Sequence, residues 1–226
     1  MRVRTRRSHF FEIKIFRLRL GYRHRYPIEV TQKMPDGRCF RIDDLEVGEL
    51  RDNGCDAETI HSYEEWVHNF APRVDNVISQ LTDAFAGSEL DGGLGLWEAK
   101  GLDDYASPKE LKDLRSKDEK RDWRRIPIEH LNRCYAAPWF MDARGFVFHL
   151  PAFLIAELND QHGYGFIDRL YCSPESPRGW SDLLKTEQKN ALIAALQLIV
   201  AHPDYLRESN AIKTKIDQLN SAQKMG

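Results

Sequence analysis

The spacing of hydrophobic residues predicts a chain that is mainly helical beyond residue 57. Apolar residues recur at helical spacing from Val74 to Phe85, and Pro72 and Gly87 bracket that run as a first-turn proline and a terminating glycine. Ser107-Pro108-Lys109-Glu110 has the form of a capping box followed by a first-position proline. The same pattern predicts further helices over residues 57–70, 107–120, 126–134, 150–159, 186–200 and 209–222.

Two short stretches instead have the form of β-hairpins. Pro35-Asp36-Gly37 separates strand-like runs at 26–33 and 38–42, and Asp142-Ala143-Arg144-Gly145 separates those at 138–141 and 146–149. Residues 16–20 alternate apolar and basic, which fits a half-buried strand, although helical spacing fits almost as well. The fold class predicted is therefore α+β: a predominantly helical domain with a small β-hairpin, plus a basic N-terminal segment that contains strands.

Composition along the chain suggests three parts. Residues 43–56 are rich in Asp, Glu, Gly and Asn, which is typical of a connection between domains. We expect a basic N-terminal segment over 1–53, a mainly helical core domain over 54–206, and a polar C-terminal helix or tail over 207–226.

The formal net charge of −2 hides two opposed blocks of charge. Residues 1–41 hold 12 Lys and Arg against 3 Asp and Glu, whereas residues 42–122 hold 9 against 21. The two blocks can pair with each other, or the basic one can contact nucleic acid. The candidates for phosphate contacts are Arg2, Arg4, Arg6, Arg7, Arg17 and Arg19.

Composition also restricts the class of protein. Hydrophobic residues make up 42% and charged residues 30%, and no run approaches the ~18 apolar residues of a membrane span. Four widely separated cysteines in a chain large enough to form a core indicate reduced thiols. We expect a soluble cytoplasmic protein without membrane contact.

A glycine-rich loop at residues 87–101 is the main candidate for metal chemistry. It has neither the G-K-[ST] ending of a Walker loop nor the G-x-G-x-x-G register of a dinucleotide site, so no cofactor is predicted. Oxygen ligands in and after the loop could gather a divalent cation. These candidate ligands are Glu89, Asp91, Glu98, Asp103 and Asp104.

Two weaker constellations involve Cys134. His130 lies one helical turn before it, and His149 or Cys172 could complete a zinc site, but no C-x-x-C or H-E-x-x-H pattern supports this. Cys134, His149 and Asp142 could also act as nucleophile, base and orienting carboxylate, yet only Arg133 lies near enough in sequence to lower the pKa of the thiol. No complete catalytic signature is present.

Tryptophan and arginine concentrate between residues 123 and 139. These residue types dominate the energetics of protein interfaces, although tryptophans also serve as core residues. The candidates for partner binding are Trp123, Arg124, Arg125, Arg133 and Trp139.

Residues 74–205 resemble an uncharacterised bacterial family described only as a domain of unknown function. The resemblance rests on successive motifs, and the first 60 or so residues fall outside it, as a private extension or because the start is placed too early. It implies no activity, cofactor or partner. The motifs are A-F-A-G at 84–87, G-L-G-L-W-E-A and D-D-Y in the loop, D-W-R-R-I-P at 122–127, L-N-R-C at 131–134, F-M-D-A-R-G at 140–145 and F-H-L-P-A-F-L at 148–154.

The leading functional hypothesis is a small non-enzymatic protein that binds another macromolecule, with an inhibitor or immunity-type role as one form of it. It is motivated by the Trp and Arg content and by the lack of a catalytic constellation. The alternatives are a divalent-metal-dependent hydrolase that uses the acidic glycine-rich loop, and nucleic-acid binding through the basic N-terminal segment.

Overall fold

The computed structural model of this chain describes residues 2–4, 10–15, 28–33, 39–43, 72–159, 161–162, 165–171, 179–201, 205 and 208–223. The chain divides into two compact units. One comprises Met1–Asn76 with Leu158–Asp160, and the other comprises Val77–Glu157 with Gln161–Gly226. The predicted division at residues 53 and 206 stays a prediction.

The described part of the first unit contains four strands. They are β1 (Arg2–Arg4), β2 (Phe10–Ile15), β3 (Ile28–Lys33) and β4 (Cys39–Asp43), and they form an antiparallel sheet in the order β1-β2-β3-β4. In the β3–β4 pair, Val30 lies opposite Ile42. The predicted turn at 35–37 and the predicted strand at 16–20 lie outside the described residues.

The second unit is built from helices. The first helix among the described residues, α1, covers residues 72–84 and starts in the first unit. Three short 3-10 turns, at Trp123–Arg125, Ala137–Trp139 and Trp180–Leu183, connect the later helices. Those helices are α2 (Leu96–Asp103), α3 (Pro108–Arg115), α4 (Ile128–Arg133), α5 (Ala143–Leu158), α6 (Asp168–Tyr171), α7 (Thr186–Val200) and α8 (Ser209–Gln223).

The predicted α+β class, with a β-hairpin in the core domain, is wrong. The described residues between 72 and 223 contain no strand, and α5 runs through the predicted second strand at 146–149. The misleading residues are those of the predicted turn: Asp142 precedes α5, and its Oδ1 accepts the backbone N–H of Gly145 at 2.8 Å, as an N-cap side chain does. Aspartate and glycine thus mark a helix start here and not a hairpin.

Several helix predictions from the sequence agree with the structure. Ser107 and Glu110 form the reciprocal capping box expected at the start of α3, although α3 ends at Arg115 and not near residue 120. The helix from residue 72 ends before Gly87, which adopts a φ of +70°. Helix α7, Thr186–Val200, has the bounds of the helix predicted over residues 186–200. The predicted helix at 57–70 lies outside the described residues.

The core of the helical unit centres on aromatic side chains. Phe166 stacks between Phe146 and Phe153, with ring centroids 5.9 and 5.0 Å away. All three rings are at most 2% exposed, and fully burying a side chain of this size contributes about 1.5–3 kcal/mol. Among the described helices, none combines the length and the apolar content that crossing a lipid bilayer requires.

Candidate functional site

The glycine-rich loop is packed in place. A Cβ on Gly93 would lie 2.5 Å from the backbone nitrogen of Gly145, and one on Gly145 would overlap the carbonyl of Leu94. Asp142 fixes the same junction, because its Oδ1 accepts the N–H groups of both Leu94 and Gly145 at 2.9 and 2.8 Å. These glycines allow the loop to approach the start of α5, which explains them without a phosphate ligand.

The acidic residues of this region are not gathered into a cation site. Of the five metal candidates, four pair with a basic side chain: Glu89 with Arg121, Asp91 with Arg144, Glu98 with Arg115 and Asp104 with Lys100. Asp103 lies at the end of α2. No group of three His, Cys, Asp or Glu side chains in the described part of the chain could hold a metal ion.

A cavity of about 260 Å³ lies beside the start of α2. Its polar lining residues come from four separate segments, which include the link after α3, the helix α4 and the first turns of α5. It is lined by Leu96, Trp97, Lys117, Asp118, Glu119, Arg125, Ile126, Pro127, His130 and His149.

Asp118 caps helix α2 from a distant position in the sequence. The residue before α2 is Gly95, which has no side chain to cap with, and Asp118 Oδ1 accepts the Trp97 N–H at 2.7 Å while Oδ2 accepts the Glu98 N–H at 3.4 Å. The side chain is buried, and burial raises the pKa of its carboxyl to about 6, although the two N–H groups act in the opposite direction. A carboxylate at neutral pH therefore lies in a poorly solvated wall of the cavity.

His149 has a ring nitrogen lone pair that accepts no hydrogen bond from the described residues. It is 1% exposed, and its Nδ1 lies 2.7 Å from the carbonyl oxygen of Gly145. A carbonyl only accepts, so Nδ1 must carry the proton, and burial lowers the pKa of the ring to about 4, so the ring is neutral at pH 7. Nε2 is therefore an acceptor, and it has no hydrogen-bond partner among the described residues.

Cationic side chains lie at the exposed margin of the cavity. Lys117 and Arg125 both line it and are both exposed. Neither takes part in an ion pair within the described part of the chain. The adjacent Arg124 differs, because its guanidinium is bound to Asp122 through Nε at 2.8 Å and Nη2 at 3.0 Å.

A second feature is a short segment after α4 in which three aromatic side chains are exposed. Tyr135, Trp139 and Phe140 are 50%, 48% and 38% exposed, and we call these three residues the aromatic surface. The 3-10 turn Ala137–Trp139 packs against α2. Two more large side chains are exposed at the end of that helix: Leu102 in its last turn, and Tyr105 two residues beyond it. Tyr105 is 95% exposed, and its φ of +56° lies in the left-handed region that is common just beyond a helix C-cap; its N–H donates to the Leu102 carbonyl at 3.2 Å.

Arg169 supports the aromatic surface from beneath. This arginine is 2% exposed; its guanidinium carbon lies 4.7 Å from the ring centre of Trp139 and 5.2 Å from that of Phe146. Its Nε donates to the Pro138 carbonyl at 2.7 Å, while Nη1 and Nη2 have no hydrogen-bond partner among the described residues. Burial lowers the pKa of the guanidinium to about 10, so it remains charged and holds the indole by a cation–π contact.

The residues predicted to bind a partner do not form one surface. Trp123 is 4% exposed, and its Nε1 donates to the Phe85 carbonyl at 2.9 Å, so it belongs to the core. Arg125 lines the cavity, Arg133 lies 5.4 Å from the ring centre of Trp97, and Trp139 belongs to the aromatic surface. Of the N-terminal candidates, Arg2 and Arg4 lie in β1, and the others fall outside the described residues.

Cys134 is not placed to act as a nucleophile. It is 1% exposed, and burial raises the pKa of its thiol to about 12, so the thiolate is scarce at neutral pH. His130, one turn earlier, packs edge-to-face against Trp97 with ring centroids 5.0 Å apart. Cys172 lies outside the described residues.

Sequence reasoning missed Asp118, Tyr135, Phe140 and Arg169 as candidate functional residues. Asp118 stands in a run of alternating charges that is typical of a solvated link, and its partner lies 21 positions earlier. Arg169 likewise carries no local signal, because its aromatic partners are distant in sequence. A short-range signal did exist for the aromatic surface, since Tyr135, Trp139 and Phe140 occur within six residues.

Comparison with known proteins gives one match. The model of a family of unknown function, DUF6714, matches residues 73–221. No curated protein and no solved structure gives a significant match.

Proposed function

The chain belongs to DUF6714, a family of unknown function, and we propose that its helical unit binds a partner protein through the aromatic surface. The observation that carries the proposal is Trp139, which is 48% exposed while a buried arginine covers part of its ring. Tryptophan, tyrosine and arginine are the residues that most often dominate binding energy at protein interfaces.

Arg169 is buried at a cost in free energy and orders the ring of Trp139, which supports a binding role for that tryptophan. Removing a guanidinium from water is unfavourable, and within the described residues Arg169 has no carboxylate partner and two of its three nitrogens make no hydrogen bond. Its ring contacts fix the indole in one orientation. A side chain already ordered in the free protein loses less entropy on binding, which favours affinity.

The composition of the surface favours a protein partner. Three aromatic side chains within six residues provide a large contact area with few rotatable bonds, and the indole of Trp139 adds an N–H donor. We assign the protein to the cytoplasm, where the buried free thiol of Cys134 would remain reduced. An inhibitor or immunity-type role is one form that such binding would take.

The test compares the proteins captured from host lysate by the wild type with those captured by the Tyr135→Ala, Trp139→Ala double variant. We expect at least one stoichiometric protein to be lost from the variant, and the purified pair to bind at least about tenfold more weakly, roughly 1.4 kcal/mol. Quantitative mass spectrometry and then calorimetry measure both effects.

The matched control is Leu183→Ala. Leu183 is 49% exposed and lies in another 3-10 turn, Trp180–Leu183, so its loss removes a similar exposed apolar side chain from a different segment. The control should capture the same partner as the wild type. If the folded double variant retains every specific partner, the aromatic surface is not the binding site.

A further inference from the structure

We propose that the cavity beside Asp118 and His149 binds a small zwitterion of the amino-acid type, with the ligand's ammonium group against the inner wall and its carboxylate at the rim. This site is distinct from the aromatic surface and does not depend on the role proposed for it.

The inner wall has two hydrogen-bond acceptors, so we expect a ligand there to supply a hydrogen-bond donor. His149 carries its proton on Nδ1, toward the Gly145 carbonyl, which leaves the Nε2 lone pair without a protein donor within the described residues. Each carboxylate oxygen of Asp118 accepts one backbone N–H and retains capacity for another bond. A ligand that lacked N–H or O–H groups would leave Nε2 of His149 buried and unsatisfied, which is costly.

The charge of the wall favours an ammonium group over a hydroxyl group. Asp118 is 8% exposed, and its hydrogen bonds come from backbone N–H groups and not from a basic side chain. His149 is neutral at pH 7, so it does not balance that negative charge. A buried carboxylate gains most from a cation that reaches it inside the same cavity.

The rim carries a net positive charge, because two cations, Lys117 and Arg125, line the cavity there together with one carboxylate, Glu119. Lys117 and Arg125 line the cavity, are exposed, and make no ion pair within the described part of the chain. The forked guanidinium of Arg125 matches a carboxylate in geometry. Between rim and inner wall, Trp97, Ile126 and Pro127 provide an apolar wall for a side chain of limited size, given the volume of about 260 Å³.

The experiment uses the full chain with uniformly ¹⁵N-labelled histidine. Each of the twenty amino acids is added at about 10 mM, and the Nε2 resonance of His149 is followed. We expect at least one amino acid to shift that resonance in a saturable manner. Three compounds related to alanine then dissect the recognition: lactate replaces the ammonium with a hydroxyl, propionate removes it, and ethylamine lacks the carboxylate.

Two variants test the residues in the wall and rim. His149→Phe removes Nε2 and should abolish saturable binding, which thermal stabilisation by the amino acid reports when the histidine signal is gone. Arg125→Ala, an exposed position where folding is not at stake, should weaken binding about tenfold. Arg124→Ala is the matched control, because the adjacent guanidinium is bound to Asp122 and does not line the cavity.

The binding measurements on the variants and related compounds either support or overturn the proposal. Binding of an amino acid that is lost in His149→Phe, weakened in Arg125→Ala and retained in Arg124→Ala supports the proposal. It is overturned if none of the twenty shifts the Nε2 resonance, if propionate or ethylamine binds as well as the best amino acid, or if Arg125→Ala and Arg124→Ala bind equally well.

Discussion

At the scale of single residues, the surroundings of a side chain decide its chemistry. Asp118 and Asp122 are four positions apart, yet burial raises the pKa of the first to about 6, whereas hydrogen bonding to the Arg124 side chain lowers the pKa of the second. Trp123 and Trp139 differ in the same way, since one is 4% and the other 48% exposed. The chemical identity of a residue therefore says little about its role until its neighbours are known.

The raised pKa of Asp118 predicts a pH dependence of stability. The unfolded side chain has a pKa near 3.8 and the folded one near 6, so between these values the folded state binds more protons, and stability falls as pH rises. Relative to Asp118→Asn, the wild type should lose roughly 3 kcal/mol or less between pH 4 and pH 6 and change little above pH 7. Urea denaturation of both proteins across this range measures the difference.

That comparison cancels the carboxyls whose pKa values are lowered, because Asp118→Asn leaves them in place. Glu110 and Glu119 are two of these, held by hydrogen bonds with Ser107 and with the Arg121 N–H. Their contribution is lost as pH falls, in the opposite sense to Asp118. A difference between wild type and variant that stays constant from pH 4 to pH 7 would contradict the raised pKa.

At the scale of elements, capping and burial explain which sequence predictions held. The capping box at Ser107 is a local signal, and its helix starts where expected. The start of helix α5 was predicted wrongly because most of its residues are buried, which removes the one-sided periodicity, and because Pro151 lies inside the helix and not at its start. The cap of helix α2 could not be predicted from the residues around its start, because Asp118, which caps it, lies outside the helix and 21 positions after Trp97.

Close packing between elements predicts the effect of Gly95→Ala. Gly95 has a φ of −77°, which alanine adopts freely, but a Cβ there would overlap the Asp118 side chain. We expect a loss of about 1–3 kcal/mol in the free energy of unfolding, because Asp118 must leave the start of α2. Chemical denaturation of the wild type and the variant measures this loss.

A double-mutant cycle identifies the cause. In an Asp118→Gly background the side chain that would be overlapped is absent, so adding Gly95→Ala should cost much less than it does in the wild type. Equal costs in the two backgrounds would mean that the overlap with Asp118 is not the source of the loss.

At the scale of the whole molecule, several carboxylates of the acidic block form ion pairs inside the helical unit. The opposed blocks of charge led us to consider pairing between the basic N-terminal segment and the acidic residues that follow. Within the helical unit, however, Glu89, Asp91 and Glu98 already pair with Arg121, Arg144 and Arg115. Counting charge by segment cannot reveal such pairs, because the partners lie 17 to 53 positions apart.

The two candidate sites could be predicted only in part for a related reason. The sequence drew attention to Trp139, Arg125 and His149, because aromatic, arginine and histidine residues are informative wherever they occur. The sequence did not show which residues lie beside them. The cavity is assembled from four separate segments, and the aromatic surface depends on Arg169, 30 positions after Trp139. Only the fold brings those groups together.

Because Cys134 is buried, the rate at which its thiol reacts with a reagent reports how often the helical unit opens. A thiol that is 1% exposed, with a pKa raised to about 12, reacts with an alkylating reagent only when the surrounding helices separate. In a variant with Cys39, Cys55 and Cys172 replaced by serine, labelling should be at least about 1,000-fold slower than in urea, as an opening cost of roughly 4 kcal/mol requires. Labelling at the rate of the unfolded chain would contradict this burial, whereas a slow rate measures, under native conditions, how rarely the core admits a small molecule.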